Sequence, residues 1–243
     1  MKLSILMPAH DDATTLGTAV KRVLEVQYPC EAELVVVDDG STDDTWAVLS
    51  ALGDPRVRVA EHPVNRGKGS AVRTAAGLAS GDYLVIFDAG LEYSPGDILK
   101  LLEPVSRGDG EVVYGVRSFG TAHSFWFVIG NKVNTFTANL LFNTWISDLH
   151  SCLKLMPASL FRELPLKQRR FGFDSEVTAL LLARGVRPCE VPVSYQARSR
   201  EEGGGKLSLA DGAAATWVLL RVRLHQGLRN LLSRPQARAA RGS

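Results

Sequence analysis

Three short stretches of this 243-residue chain place acidic, basic and glycine residues at the ends of apolar runs. Asp88-Ala89-Gly90-Leu91-Glu92 follows Val85-Ile86-Phe87, and Asp38-Asp39-Gly40-Ser41-Thr42-Asp43 follows Leu34-Val35-Val36-Val37. Asn65-Arg66-Gly67-Lys68-Gly69-Ser70 opens the helical pattern Ala71-Val72-Arg73-Thr74-Ala75-Ala76. Magnesium and manganese prefer hard oxygen ligands, usually one or two carboxylates completed by phosphate oxygens and water. Asp88 alone could hold such an ion weakly, and Glu92, on a longer side chain, is the candidate to reach the same ion across Gly90. Ser41, Thr42 and Asp43 are good helix-capping residues. Capping does not account for adjacent aspartates at a strand end, where mutual repulsion costs energy unless a donor or cation offsets it. One of that pair is suited to accept from a nucleobase imide or a ribose hydroxyl. The third stretch is a glycine-bearing helix start, whose backbone amides favour anions. It lacks P-loop spacing. Together the three turns predict a nucleotide-diphosphate site.

The elements that must carry these turns follow from the hydrophobic pattern. Short β-rich runs at 3–7, 33–37, 57–61, 83–87 and 111–114 alternate with helical patterns at 12–26, 43–52, 67–79 and 95–106. That alternation predicts an α/β fold, a mostly parallel sheet covered by helices. Ligands of such sheets sit outside the carboxyl ends of the strands. The second half predicts apolar helices over 125–142 and 173–183, a short strand over 188–193, a charged glycine-containing loop over 198–206 and a long helix from 208 to 232. The expected division is one domain over 1–211, an amphipathic helix over 212–234 and a disordered basic tail over 235–243.

A chain of this length suits one α/β domain, and 45% hydrophobic with 22% charged residues is ordinary for a globular core. The net charge of +2 is too small for a nucleic-acid footprint, so nucleic acid is not an expected partner. Arg221, Arg223, Arg229, Arg234, Arg238 and Arg241 crowd the end and favour a local anionic surface. Cys30, Cys152 and Cys189 have neither metal-site spacing nor a disulfide pattern, and read as free thiols of a reducing cytoplasm. The apolar run at the start is too short for a signal peptide and reads as a first strand. No stretch reaches the roughly 18 uninterrupted apolar residues of a membrane span, so membrane contact would be peripheral.

The ordered set Pro8 to Asp12, Val37-Asp38-Asp39-Gly40-Ser41, Asn65-Arg66-Gly67-Lys68-Gly69, Asp88-Ala89-Gly90 and Val113-Tyr114-Gly115 resembles the family 2 inverting glycosyltransferases. Within them it is most similar to the polyprenyl-phosphate, dolichyl-phosphate-mannose-synthase-like branch. The likeness runs on through Gly130-Asn131-Lys132, Ser147-Asp148-Leu149, Phe171-Gly172-Phe173-Asp174-Ser175-Glu176, Glu190 to Tyr195 and Arg198 to Gly203. It implies a GT-A, Rossmann-like fold that binds a UDP- or GDP-sugar with Mg2+ or Mn2+. By that analogy Pro8, Ala9, Asp12 and Asp39 line the nucleoside pocket, with Lys68 and Ala89 nearby. Asp88 becomes the metal aspartate with Glu92 as a further ligand, and Arg117, Arg198 and Lys206 face the acceptor phosphate or the donor diphosphate. Four stretches depart from the family pattern, one of them Gly203-Gly204-Gly205-Lys206, which loosens a loop that is usually shorter. Asp88-Ala89-Gly90 stands for Asp-x-Asp, His10-Asp11-Asp12 for Tyr-Asn-Glu, and Ser118 follows Arg117 in place of phenylalanine.

Inversion is a single displacement in which the leaving diphosphate needs electrostatic stabilisation, expected from metal, Lys206, Arg198 and helix-terminal amides. A phosphate-monoester acceptor is already anionic and needs no general base. A hydroxyl acceptor needs one, and Asp148, Asp174 and Glu176 are the candidates. His10 and His150 read as polar contacts. Trp217, Leu220, Leu224 and Leu228 fall near helical spacing among arginines, which suits a membrane surface, or a helix packed on the domain or in a homodimer. The leading expectation is an enzyme transferring sugar to a polyprenyl phosphate. The alternatives are a soluble enzyme acting on a small molecule such as a nucleoside or antibiotic intermediate, and a catalytically silent nucleotide-sugar-binding protein.

Overall fold

The computed structural model describes residues 1–118, 125–170, 172–196 and 209–232. Its first half is a run of strand–helix units: β1 (Lys2–Ala9), α1 (Ala13–Glu25), β2 (Glu31–Asp38), α2 (Thr45–Ser50), β3 (Val57–Glu61), α3 (Lys68–Leu78), β4 (Tyr83–Ile86) and α4 (Asp97–Arg107). The second half is β5 (Val113–Arg117), α5 (Phe125–Phe142), β6 (Lys154–Pro157), α6 (Ala158–Glu163), α7 (Phe173–Ala183), β7 (Cys189–Val193) and α8 (Leu209–Leu232). One sheet of seven strands runs β3-β2-β1-β4-β6-β5-β7. All its pairings are parallel except those of β6, which is antiparallel to both β4 and β5.

Leu34 to Val37 of β2 are all buried because helices cover both faces of a central parallel strand, which explains the uninterrupted apolar run. α1 turns Leu16, Ala19, Val20 and Val23 toward the sheet at helical spacing. α3 buries Ala71, Val72, Ala75 and Ala76, small side chains that let the helix lie close against β1 and β2. A second, smaller core joins α5, α7 and α8 through Ala138, Phe142, Ala179, Leu182, Leu219 and Val222. The helix expected over 212–234 thus begins at Leu209 and packs on α5 and α7. The expected tail over 235–243 lies outside the described residues.

Two elements escape the sequence pattern. β6 is four residues that open on a lysine, yet Lys154 is fully buried and its ammonium meets Asp174 Oδ1 at 2.9 Å. α6 is six residues, too short to show a helical period.

A buried polar seam ties β5 to α5 and α7. Arg117 donates from Nε to Asp148 Oδ2 at 2.7 Å and from Nη2 to Oδ1 at 2.8 Å, and Asn131 Nδ2 donates to the same Oδ1 at 3.0 Å. Asn131 Oδ1 stands 3.0 Å from His150 Nδ1, and His150 Nε2 stands 3.1 Å from Ser175 Oγ. Since Asn131 Nδ2 is the donor to Asp148, its Oδ1 must accept, which places the His150 proton on Nδ1. Burial alone would raise the Asp148 carboxyl, but Arg117 and Asn131 outweigh it and hold it below the usual carboxylate range.

The turn after β2 requires glycine. Gly40 has φ +67°, and a Cβ there would stand 2.3 Å from the Val64 carbonyl carbon and 2.6 Å from the Asn65 nitrogen. Gly40→Ala should lower the unfolding free energy by about 2–4 kcal/mol in urea denaturation, through φ strain and a backbone clash. Gly53→Ala, where a Cβ meets nothing within 4 Å, should change it by less than about 0.5 kcal/mol. Equal effects would refute the turn argument.

Burial pulls the His150 pKa down to about 4, with Lys154 and Arg117 acting in the same direction and Asp174 and Asp148 opposing. The unfolded chain takes up this proton near pH 6.5 while the folded protein refuses it, so the unfolded state binds more protons in between. The resulting stability is present above pH 6.5 and is lost as pH falls toward 4, an effect of about 3 kcal/mol. The carboxylates of Asp148 and Asp174, both held low, lose their share below about pH 4. Urea midpoints from pH 7 down to pH 4 should therefore fall in the wild type and stay flatter in His150→Asn; parallel curves would refute the neutral, half-buried histidine.

Candidate active site

β1 lies between β2 on one side and β4 on the other, so the strand order reverses beside it and opens a crevice at the carboxyl ends of these three strands. Into that end of the sheet the chain brings Pro8 and Ala9 of β1, Asp38 and Asp39 at the end of β2, and Asp88 and Ala89 after β4. Pairing of β1 with β4 stops at Leu6 and Ile86, so no β4 residue requires the amide hydrogen that Pro8 lacks. The loops after β1 and β2 are laced together. Asp11, held at φ +53°, accepts from the Thr42 amide at 2.7 Å, and the Asp12 amide donates to Thr45 Oγ1 at 2.9 Å. Asp12 Oδ2 accepts from the amide of His10 at 3.1 Å.

The two adjacent aspartates divide their work. Asp39 is buried with its oxygens committed: Oδ1 takes His62 Nδ1 at 2.6 Å and the Arg66 amide at 3.1 Å, and Oδ2 takes the Gly67 amide at 2.6 Å. His62 in turn meets Thr74 Oγ1 at 2.9 Å on α3. Asp38 Oδ1 accepts from the amide and hydroxyl of Ser41, while its Oδ2 is buried with no hydrogen-bond partner. The acceptor left over at this strand end therefore belongs to Asp38, and Asp39 is the anchor of the 65–69 turn. His62 and Thr74 were not singled out by the sequence pattern; their roles depend on a contact between distant segments.

The same geometry corrects the expectation of an amide nest at the start of α3. The amides of Arg66 and Gly67 point at Asp39, and the Gly69 amide donates to the Arg169 carbonyl at 2.8 Å. Gly67, at φ +91°, brings the backbone so close that a Cβ would stand 2.4 Å from that carbonyl oxygen. Positive charge at this turn comes from side chains instead. Lys68 Nζ lies 2.8 Å from both oxygens of Asp88, well aligned with Oδ2 but off the hydrogen-bonding direction of Oδ1. Burial works against the Lys68 ammonium, yet Asp88 and Asp174 outweigh it and hold its pKa well above the ordinary lysine value. Asp174, at the start of α7, also pairs with Lys154. Asp88, Lys68, Asp174 and Lys154 thus form a row of alternating charge under the crevice.

Glu92 is half-buried on the turn that follows Asp88, two residues past Gly90, and its carbonyl accepts from the Gln196 amide at 2.9 Å. Leu91 between them is held at φ +64°, a strained conformation for a branched side chain. Among the described residues no cluster of three or more His, Cys, Asp or Glu forms a cation cage. Asp88 Oδ1, buried without a well-aligned donor, fits a cation whose remaining ligands are phosphate and water, with Glu92 on the same turn.

The residues expected on the acceptor side are placed unevenly. Arg117 is buried on Asp148 and stacks its guanidinium over Tyr195, 5.1 Å from the ring centroid. Arg198 and Lys206 lie outside the described residues. All three carboxylates proposed as bases are engaged: Asp148 by Arg117 and Asn131, Asp174 by Lys154, and Glu176 by the amides of Lys167 and Gln168 at 2.7 Å and by Arg221 at 3.1 Å. Beside the 65–69 turn lies an open cleft of about 780 Å3, lined by Arg66, Lys167, Arg169 and Arg170 among others. The run Lys167-Gln168-Arg169-Arg170 was a legible basic signal that the motif reading passed over.

Comparison with known proteins agrees with this geometry. Residues 4–165 match the family model for glycosyl transferase family 2. An undecaprenyl-phosphate mannosyltransferase of Micrococcus luteus is 27% identical, over 92% of this chain and 99% of its own length. A dolichol-phosphate mannosyltransferase of Pyrococcus furiosus is 33% identical over 118 residues, 48% of this chain, and the match spans only 33% of that protein. Among solved structures, glucosyl-3-phosphoglycerate synthase of Mycobacterium tuberculosis, crystallised with Mn2+, uridine diphosphate and phosphoglyceric acid, superposes with a TM-score of 0.70 at 21% identity. That superposition covers 91% of this chain and 78% of the other, and it establishes the shared GT-A fold. A family match over most of the chain, carried by a sheet that gathers the matching motifs at its switch point, makes this protein a glycosyltransferase of family 2.

Proposed function

We propose that this protein inverts and transfers a sugar from a UDP- or GDP-sugar to the phosphate of a polyprenyl phosphate. The observation that carries the choice of acceptor is the engagement of Asp148, Asp174 and Glu176, each held by cations or backbone amides. A hydroxyl acceptor must lose its proton to a base as it attacks, whereas a phosphate monoester attacks as an anion. The names of the similar mannosyltransferases support the same acceptor class.

In this reading Pro8, Ala9 and Asp12 line the nucleoside pocket, and the spare oxygen of Asp38 accepts from the base or ribose. Asp39 acts through the turn it anchors. Asp88 and Glu92 would hold Mg2+ or Mn2+, which when bound neutralises charge on the leaving diphosphate. Lys68 adds a fixed ammonium beside the same oxygens and orients Asp88. An acceptor phosphate oxygen forms the new bond to the anomeric carbon as the bond to the diphosphate breaks on the opposite face. Arg117, rigid on Asp148 and Tyr195, supplies positive charge for the acceptor phosphate, with Arg198 and Lys206 as further cations.

A second reading keeps the chemistry and changes the acceptor to a small water-soluble anion. It is favoured by the same engagement of Asp148, Asp174 and Glu176, and by a similarly folded enzyme crystallised with phosphoglyceric acid. Purified protein incubated with each sugar nucleotide and undecaprenyl phosphate should release nucleoside diphosphate. Release only with water-soluble anions would select the second reading. Release only with neutral hydroxyl acceptors would overturn both, and no release with any acceptor would leave a nucleotide-sugar-binding protein.

Asp88→Asn should lower kcat/KM by at least about 100-fold, as for loss of a group acting on developing charge. Glu92→Gln should weaken Mn2+ affinity by about tenfold, one carboxylate's worth of attraction at a partly exposed site. An Mn2+ titration of nucleotide binding that is unchanged in Glu92→Gln would remove Glu92 from the metal site.

A further inference from the structure

α5 and α8 carry a surface that the proposed reaction does not use. On α5, Val133, Phe136 and Leu140 share one face at helical spacing, opposite the buried Asn134 and Ala138. Phe136 is 68% exposed, Leu140 72% and Trp145, just past the helix, 87%. On α8, Trp217 and Leu224 are 62% and 61% exposed, opposite the buried Val218 and Leu219. Thr216 Oγ1 donates to Asn134 Oδ1 at 2.6 Å, so the two helices lie side by side, and both apolar strips turn away from α7, on which the helices pack. Water-exposed aromatic and aliphatic side chains gathered in this way mark an interaction surface.

The charge around the strips selects the partner. Residues 125–147 contain Lys132 and no acid, and α8 carries Arg221, Arg223 and Arg229 against Asp211 in its first turn, with Arg221 paired to the buried Glu176. Lys132 is exposed next to Val133, and Arg223 is exposed next to Leu224. A chain whose net charge is only +2 therefore concentrates positive charge beside its most exposed apolar residues. Tryptophans at the edge of an apolar strip flanked by lysine and arginine suit the headgroup level of an anionic bilayer. No helix among the described residues is long and apolar enough to cross a membrane, so the fit is to a surface.

We propose that the outer faces of α5 and α8 together form an interfacial surface that seats the protein on an anionic phospholipid bilayer. The proposal rests on the lipid-acceptor reading above for its purpose: the inner face of α5 holds Asp148 through Asn131, and Asp148 holds Arg117. One side of this helix thus faces the bilayer while the other supports the cation assigned to the acceptor phosphate.

Full-length protein should sediment with phosphatidylglycerol vesicles, less with phosphatidylcholine vesicles, and less in high salt. The pairs Phe136→Ser/Leu140→Ser and Trp217→Ser/Leu224→Ser should each weaken binding by about tenfold at unchanged melting temperature. Both pairs should keep wild-type turnover of a short-chain, water-soluble polyprenyl phosphate. Absence of sedimentation, or equal sedimentation of wild type and variants, overturns the proposal. So does a wild-type dimer in light scattering that the Phe136→Ser/Leu140→Ser pair dissociates, since a second copy would then own the surface. Vesicle binding without turnover of any lipid phosphate would instead refute the acceptor reading and leave the surface standing.

Discussion

The carboxylate of Asp39 is the constraint on which the site depends. Buried at the end of β2, it would be costly to desolvate unless donors surrounded it, and His62 with the amides of Arg66 and Gly67 provides them. Those bonds fix the path of the 65–69 turn, that path sets where α3 begins, and the first residue of α3 is Lys68. Lys68 then reaches Asp88 across the crevice from the neighbouring strand end. A single buried acid thus transmits the position of β2 to the Lys68–Asp88 ion pair, and Gly40 and Gly67 let the backbone pass through that arrangement.

The rest of the buried charge follows the same logic of local neutralisation. Arg117 with Asp148, Lys154 with Asp174 and Glu176 with Arg221 each unite segments far apart in the chain. A buried ion pair is a weak source of stability compared with a well-packed apolar substitute, but removing one partner commonly costs about 3–5 kcal/mol. Such pairs therefore specify position more than they add stability. Here they hold β5, α5, α7 and α8 in one orientation, and they do so with carboxylates that are thereby committed to structural partners.

Sequence and structure agree where local pattern decides. The apolar runs of β1, β2 and β4 and the spacing of Leu16, Ala19, Val20 and Val23 reveal the parallel half of the sheet, and the strand-end aspartates mark its ligand edge. β6 was illegible because its leading lysine reads as surface until Asp174, twenty residues later, neutralises it. The division of labour between Asp38 and Asp39 was equally hidden. Side-chain alternation along a strand shows that the two point to opposite faces, but only the arrival of His62 and the 65–69 turn determines which one is consumed. Pro8, Ala9, Lys68, Asp88 and Ala89 were legible by motif and the basic run 167–170 by its charge, while His62 and Thr74 became visible only when distant segments met.

The reversed strand β6 also bears on how the chain assembles. Lys2 pairs with Glu31 in β1 and β2, whereas Tyr83 pairs with Pro157 in β4 and β6, across a far longer intervening loop. Loop-closure entropy grows with that separation, so the parallel strands β1 to β4 can pair before the sheet is completed on the other side. Until β6 returns, β4 is an edge strand presenting Leu84, Val85 and Ile86 with unpaired backbone groups, a template on which another chain could align. The buried Lys154 gives that edge a gatekeeper: a β6 segment that docks without Asp174 in place would bury an unpaired ammonium, so completion of the sheet is coupled to the correct seating of α7.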